Sequence, residues 1–256
     1  MTIGDNHARF PLVYCARFMV ALLIVKTGST LPTLIPRRGD FEVWIRAGAG
    51  LQEHEVTVVS VHEEGVLPAV DSADGVIVTG SSAMVTQALP WSVRTGEWLA
   101  GVVQSGTPLL GICYGHQLLA SALGGEIKNN PNGRQIGTVD VTLTEAAGSD
   151  ELLKGFRALH VPVSHVQSVT RLPEGARLLA HTPLDPHHAF RVGERAWGIQ
   201  FHPEFDTGIV RTYIEVRGEE IKAEGLDPKA LADSASDTAD GAMVLRRFAR
   251  IMRGKV

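Results

Sequence analysis

Three short, continuously apolar runs at 19–25, 75–80 and 108–112 constrain this chain most. A strand that is apolar on both faces needs cover on both sides, which is how parallel strands in α/β proteins are built. Turn residues bound the runs: Lys26-Thr27-Gly28-Ser29 closes the first and Gly80 the second. Between runs the apolar period becomes helical. Trp98, Leu99, Val102 and Val103 share one face of a helix near 91–105, and Leu118, Leu119, Ala122 and Leu123 share one face of the next. Another helix fits 38–51, and the β-branched, alternating segment 54–61 adds a strand. Strands separated by helices predict an α/β fold with a mostly parallel central sheet and helices on both faces.

Beyond Asn129 the texture changes. The turn Asn130-Pro131-Asn132-Gly133 introduces an alternating strand at 139–143, and further strands fit 158–170, 176–181 and 187–201. They predict a small antiparallel extension whose last piece, 196–201, rejoins the main sheet. Helical patterns follow near 207–224 and 238–253. With no internal repeat or long linker, the expectation is a single domain over 19–256, with C-terminal helices from about 207 and a 1–18 extension without periodicity. The apolar stretch 10–25 follows Arg9, but Arg17 interrupts it and no small-residue cleavage site follows, so a buried strand is expected there rather than a targeting segment. Met19 is then an alternative start.

Hydrophobic residues make up 44% and charged residues 20%, which argues against intrinsic disorder. No apolar run reaches the roughly 20 residues of a membrane span. A net charge of -4 gives no basic footprint for nucleic acid. Cys15 and Cys113 are the only cysteines, too few for a disulfide framework or a multi-cysteine zinc site and consistent with a reducing cytoplasm.

Cys113 sits in Gly111-Ile112-Cys113-Tyr114-Gly115, between an expected strand and an expected helix. This is the pattern of a nucleophile elbow, a sharp strained turn whose flanking positions have no room for side chains. The first helical turn leaves N–H groups aimed at the sulfur, favouring thiolate over thiol. Cys15 lacks such a context and reads as structural or incidental.

A thiolate that attacks an acyl group needs a base and a group to orient that base. Phe201-His202-Pro203-Glu204 follows the 196–201 strand, at the strand edge where open α/β sheets bind ligands. His202 is the candidate base and Glu204 its orienter. His-x-Glu also opens the zinc deaminase signature, but Pro-Cys-x-x-Cys is missing, so no metal is expected. An oxyanion hole would use the N–H of Tyr114, next after the nucleophile, and main chain at Gly80.

At this point the residues are recognisable. Gly111-Ile112-Cys113-Tyr114-Gly115-His116-Gln117 with Gln200-Phe201-His202-Pro203-Glu204-Phe205 resembles the class I glutamine amidotransferase family, and Val78-Thr79-Gly80-Ser81 sits where that family has its oxyanion-strand glycine. The likeness runs from about residue 19 to 205. Arg134-Gln135-Ile136-Gly137 and Ser164-His165 look like the GMP-synthase-type branch. The resemblance implies a flavodoxin-like fold, no cofactor, and hydrolysis of a γ-glutamyl amide through a thioester on Cys113, with His202 as base then acid. It also implies substrate contacts from Gly80, Ser81, Tyr114, Gln117, Ser164 and His165. One departure stands out: that branch carries Ser-His-Gly-Asp where this chain has Ser164-His165-Val166-Gln167.

Three readings remain. The first is an amidotransferase subunit; with no SGGVDS-like ATP pyrophosphatase motif in these residues, its ammonia acceptor would be a separate synthetase polypeptide. The second is a γ-glutamyl peptidase acting on peptides or conjugates, and the third a non-catalytic module of the same fold. A homodimer is compatible with each. Elsewhere, Val244, Leu245, Phe248, Ile251 and Met252 predict a core-facing helix with an arginine-rich solvated back, Asp206-Thr207 predicts an N-cap, and His187-His188 reads as a surface pair in a strand.

Overall fold

Strand and helix alternate through the first half of the chain, in a computed structural model that describes residues 20–254. The 1–18 extension, Cys15 and Met19 lie outside the described residues. β1 (Val20–Lys26), α1 (Ile35–Arg38), α2 (Phe41–Ala49), β2 (Val56–Ser60), β3 (Ala73–Val78), α3 (Pro90–Ser105), β4 (Leu109–Ile112) and α4 (Tyr114–Ala122) follow in order. The single helix expected over 38–51 is instead two, broken at Gly39, whose φ of 78° is left-handed. Asp40 then starts α2 by accepting the Phe41 N–H at 2.7 Å.

The second half adds β5 (Glu126–Asn129), β6 (Gln135–Leu143), β7 (Leu159–His165), β8 (Gln167–Arg171), β9 (Arg177–His181), β10 (Ala189–Val192) and β11 (Ala196–Ile199). α5 (Thr207–Val216), α6 (Gly218–Ala223), α7 (Pro228–Ser234) and α8 (Asp240–Met252) close it. The helix expected over 207–224 breaks at Arg217, and α7, which buries no side chain, left no apolar stripe to read.

Nine strands form one sheet in the order β2-β1-β3-β4-β11-β10-β9-β6-β7. The first five are mutually parallel; β10, β9, β6 and β7 continue the sheet antiparallel. β5 and β8 form a separate antiparallel pair. The expected antiparallel extension is therefore mostly a continuation of the main sheet.

Successive side chains of each buried strand feed opposite apolar layers. Leu22 and Ile24 join Trp44, Ile45, Ile209, Leu245 and Phe248 on one face. Leu23 and Val25 join Leu99, Val102, Leu118 and Leu119 on the other. α2, α5 and α8 thus cover one face and α3 and α4 the other. α8 carries its apolar residues inward, with Arg246, Arg250 and Arg253 exposed. Among the described residues no helix is long and apolar enough to cross a membrane.

Candidate active site

β4 ends at Ile112, and Cys113 makes the turn into α4 with φ 49° and ψ -98°, a conformation that L side chains rarely adopt. The flanking glycines are sterically required. A Cβ on Gly111 would stand 2.4 Å from the Gly115 carbonyl oxygen, and one on Gly115 would stand 2.5 Å from that of Val78. The Cys113 N–H donates to Ile199 O at 2.9 Å, tying the elbow to β11.

That tie brings the second group in. β11 lies beside β4 with Ile199 opposite Ile112, so the chain leaving each strand emerges at the same edge. His202, three residues past β11, lines the same small cavity as Cys113, whose Sγ lies 3.9 Å from Ser164 O. Its Nδ1 lies 2.8 Å from Glu204 Oε1. The imidazole lies flat on Phe205, ring centroids 4.0 Å apart, and its backbone N–H donates to Pro162 O at 2.8 Å. Burial opposes charge on this ring, yet Glu204 and Cys113 outweigh it and push His202 up to about 10. His202 is therefore an imidazolium at neutral pH.

Gly80 approaches the same ring: a Cβ there would come within 2.9 Å of His202 Cε1. Its place is set by Thr27 at the end of β1, whose hydroxyl bonds Thr79 O at 2.9 Å and Gly80 O at 3.0 Å. Among the described residues, no group takes the N–H of Gly80 or of Tyr114. The Tyr114 hydroxyl is turned away to Ser92 Oγ, at 2.6 Å.

Cys113 is the common wall of two small cavities. One, ≈ 50 Å³, is lined by Ser81, Tyr114, Gln117, Ser164, His165 and Val166 among others. The second, ≈ 120 Å³, lies on the His202 side against Thr30, Phe41 and Tyr213. The structure thus brings together all nine residues singled out from the sequence. Gln117 is held by Nε2–H bonds to Gln167 O at 2.8 Å and Gln200 Oε1 at 3.0 Å. His165 is buried, its Nδ1 3.0 Å from Gln167 O and its Nε2 3.1 Å from Gln135 Oε1, and burial lowers it to about 4, so the ring is neutral.

Sequence reasoning missed Arg217. It lines both cavities, donates to Ser164 Oγ at 3.2 Å and lies over the Tyr213 ring, 5.2 Å from its centroid. Its only sequence signal is its place at the α5–α6 break. The His187-His188 expectation needs correction: neither residue is in a strand, and His188 is fully buried, stacked at 6.0 Å on Phe201.

The fold and the site define a doubly covered α/β protein with a cysteine, a histidine and a glutamate meeting at the C-terminal edge of its parallel strands. A family description, Glutamine amidotransferase class-I, matches residues 40–215. The chain belongs to that family. Among curated relatives, GMP synthase [glutamine-hydrolyzing] of Aeropyrum pernix is 37% identical over 184 residues, 72% of this chain and 32% of that protein. The Porphyromonas gingivalis protein of the same name is 33% identical over 186 residues, 72% of this chain and 33% of its own length. The chain thus spans about a third of these relatives. Among solved structures, a glutamine amidotransferase from Thermotoga maritima superposes with a TM-score of 0.70 at 19% identity, covering 91% of this chain and 98% of that one. One from Methylobacillus flagellatus gives 0.69 at 21% identity, with 93% and 94% covered. At such identities these two show the fold.

Proposed function

We propose that this chain, as a single domain over 19–256, hydrolyses the side-chain amide of glutamine to glutamate and ammonia through a thioester on Cys113. The observation that carries this reading is the strained Cys113 sharing a cavity with an imidazole whose Nδ1 is held by Glu204 at 2.8 Å. The sulfur attacks the γ-carbonyl carbon, and the carbonyl electrons move onto oxygen. The free N–H groups of Gly80 and Tyr114 receive that oxyanion, each worth about 3–4 kcal/mol of barrier. The imidazolium of His202 gives its proton to the amide nitrogen, the C–N bond breaks and ammonia leaves. His202, now neutral, takes a proton from water, whose oxygen attacks the thioester; the C–S bond breaks and glutamate forms. Glu204 holds the Nδ1 proton throughout.

Gln117, Ser81, Ser164 and the main chain at His165 shape the smaller cavity for the amino-acid end of the substrate. Arg217 is the one fixed cation in the lining and pairs with the α-carboxylate. Ammonia passes to a synthetase domain or subunit, as the name GMP synthase [glutamine-hydrolyzing] of the longer relatives suggests. A second reading, hydrolysis of γ-glutamyl peptides, is favoured by a cavity of ≈ 830 Å³ that shares Met84, Val166 and Gln167 with the cavity at Cys113. Free glutamine does not need that room.

The test is turnover of glutamine and of γ-glutamyl dipeptides by the isolated protein, with ammonia and glutamate read separately. Glutamine turnover supports the first reading, dipeptide turnover alone the second. No turnover of either, with no labelling of Cys113 by a glutamine-mimicking alkylator, rejects both in favour of a non-catalytic module.

A further inference from the structure

Behind the Ser164–Gln167 segment, three buried side chains from two separate stretches of sequence converge. One ring nitrogen each of His165 and His188 and one carboxylate oxygen of Asp185 lie within 4.8 Å of one another. Asp185 and His188 are both 0% exposed and belong to the loop between β9 and β10. Neither ring nitrogen of His188, nor Asp185 Oδ2, has a hydrogen-bond partner among the described residues. Folded proteins leave few buried polar atoms so, because each orphan costs about 1–3 kcal/mol.

The remaining atoms of the cluster have partners of their own. Asp185 Oδ1 accepts the His187 N–H at 3.0 Å, leaving Oδ2 bare. His165 Nδ1–H donates to Gln167 O at 3.0 Å, which places the lone pair on Nε2. That nitrogen faces the Gln135 side-chain amide at 3.1 Å. The other end of the Gln135 amide reaches Thr182 Oγ1 at 3.1 Å, and that hydroxyl oxygen accepts the Asp185 N–H at 2.9 Å. An unpaired carboxylate oxygen and an unpaired imidazole, both buried and within 4.8 Å of a nitrogen of a second imidazole, are what a bound cation would resolve.

We propose that His165, Asp185 and His188 form a binding site for one divalent transition-metal ion of the zinc class. Two imidazoles and a carboxylate are a borderline-soft donor set of the kind zinc and cobalt take. Carbonyl and amide groups already fix the far side of His165 and of Asp185, the outer-shell arrangement such ligands require. The ligand atoms draw in by up to about 1.5 Å to reach metal–nitrogen distances of about 2.0–2.1 Å. The ion would pin the 182–188 loop to the end of β7, directly behind the segment that lines the cavity at Cys113, and its role is structural.

The test uses the full chain, wild type and Cys113→Ala, each stripped with a chelator and then titrated with Zn²⁺ or Co²⁺ alone. The Cys113→Ala background removes the other pair, thiol and imidazole, that could take up the ion. The expected result is one ion per chain in both proteins, a raised Tm, and a visible Co²⁺ spectrum without a thiolate charge-transfer band. Asp185→Asn and His188→Gln should each weaken binding by about 100-fold or more. The proposal is overturned if wild type takes up no ion at micromolar zinc, if both variants bind as wild type does, or if uptake disappears in Cys113→Ala. Should a ligand variant fail to fold, the wild-type stoichiometry and the thiolate-free spectrum decide alone.

Discussion

His202 donates its Nδ1 proton to Glu204 Oε1 across 2.8 Å, with only Pro203 between them in the chain. Charge and tautomer of the imidazole are therefore fixed within a single turn. Glu204→Gln keeps the shape but removes the charge, so glutamine hydrolysis should fall by about 10³–10⁴-fold. The His202 pKa should drop at the same time, which an NMR titration of the ring reads directly. Unchanged turnover in this variant would remove Glu204 from the mechanism.

The same pair sets a pH dependence of stability. His202 is raised from 6.5 to about 10 in the folded chain, opposed by burial and driven by Glu204 and Cys113. A raised histidine contributes stability that is fully present below its unfolded value and lost as pH rises through the folded one. Tm should thus decline between about pH 6.5 and 10, and Glu204→Gln should flatten that decline.

Cys113→Ala should abolish turnover and leave the fold intact by circular dichroism. Because position 113 holds φ at 49°, Cys113→Gly should be more stable than Cys113→Ala by about 1–2 kcal/mol in urea unfolding. An alanine variant at least as stable as the glycine one would show that the elbow relaxes once the thiol is gone.

Gly111→Ala and Gly115→Ala press a methyl group against backbone oxygens at 2.4 and 2.5 Å, and the main chain of α4 and β3 cannot retreat cheaply. Each should cost about 3 kcal/mol or more and express poorly. Gly148, with open space around its Cβ position, is the control that should tolerate alanine.

Arg217→Ala should raise KM for glutamine about 10-fold or more with little change in kcat, since the group touches the proposed substrate away from the reacting carbon. Glutaminamide, which lacks the α-carboxylate charge, should be turned over equally by both proteins. An equal loss on the two substrates would assign Arg217 to packing instead.

Much of this architecture was written locally in the chain. Apolar runs flanked by turn residues located β1, β3 and β4, and the glycine spacing around Cys113 located the elbow, because each rests on short-range sterics. What escaped depended on distant neighbours. β5 buries only Ile127 and so shows no alternation, while α7 buries nothing. Arg217 is placed by a helix break, and His188 goes inside because it stacks on Phe201, which lies beyond β10 and β11 in the chain.

The pairing of Ile112 with Ile199 on neighbouring parallel strands has a last consequence. Strand spacing, about 4.8 Å, is a constant of backbone geometry, so the sheet sets the separation at which the two chain exits start, and the His202 N–H bond to Pro162 O ties the short stretch after β11 back to β7. The surrounding loops can drift through mutation, trading one guest molecule for another, while those two exits stay where the ladder put them.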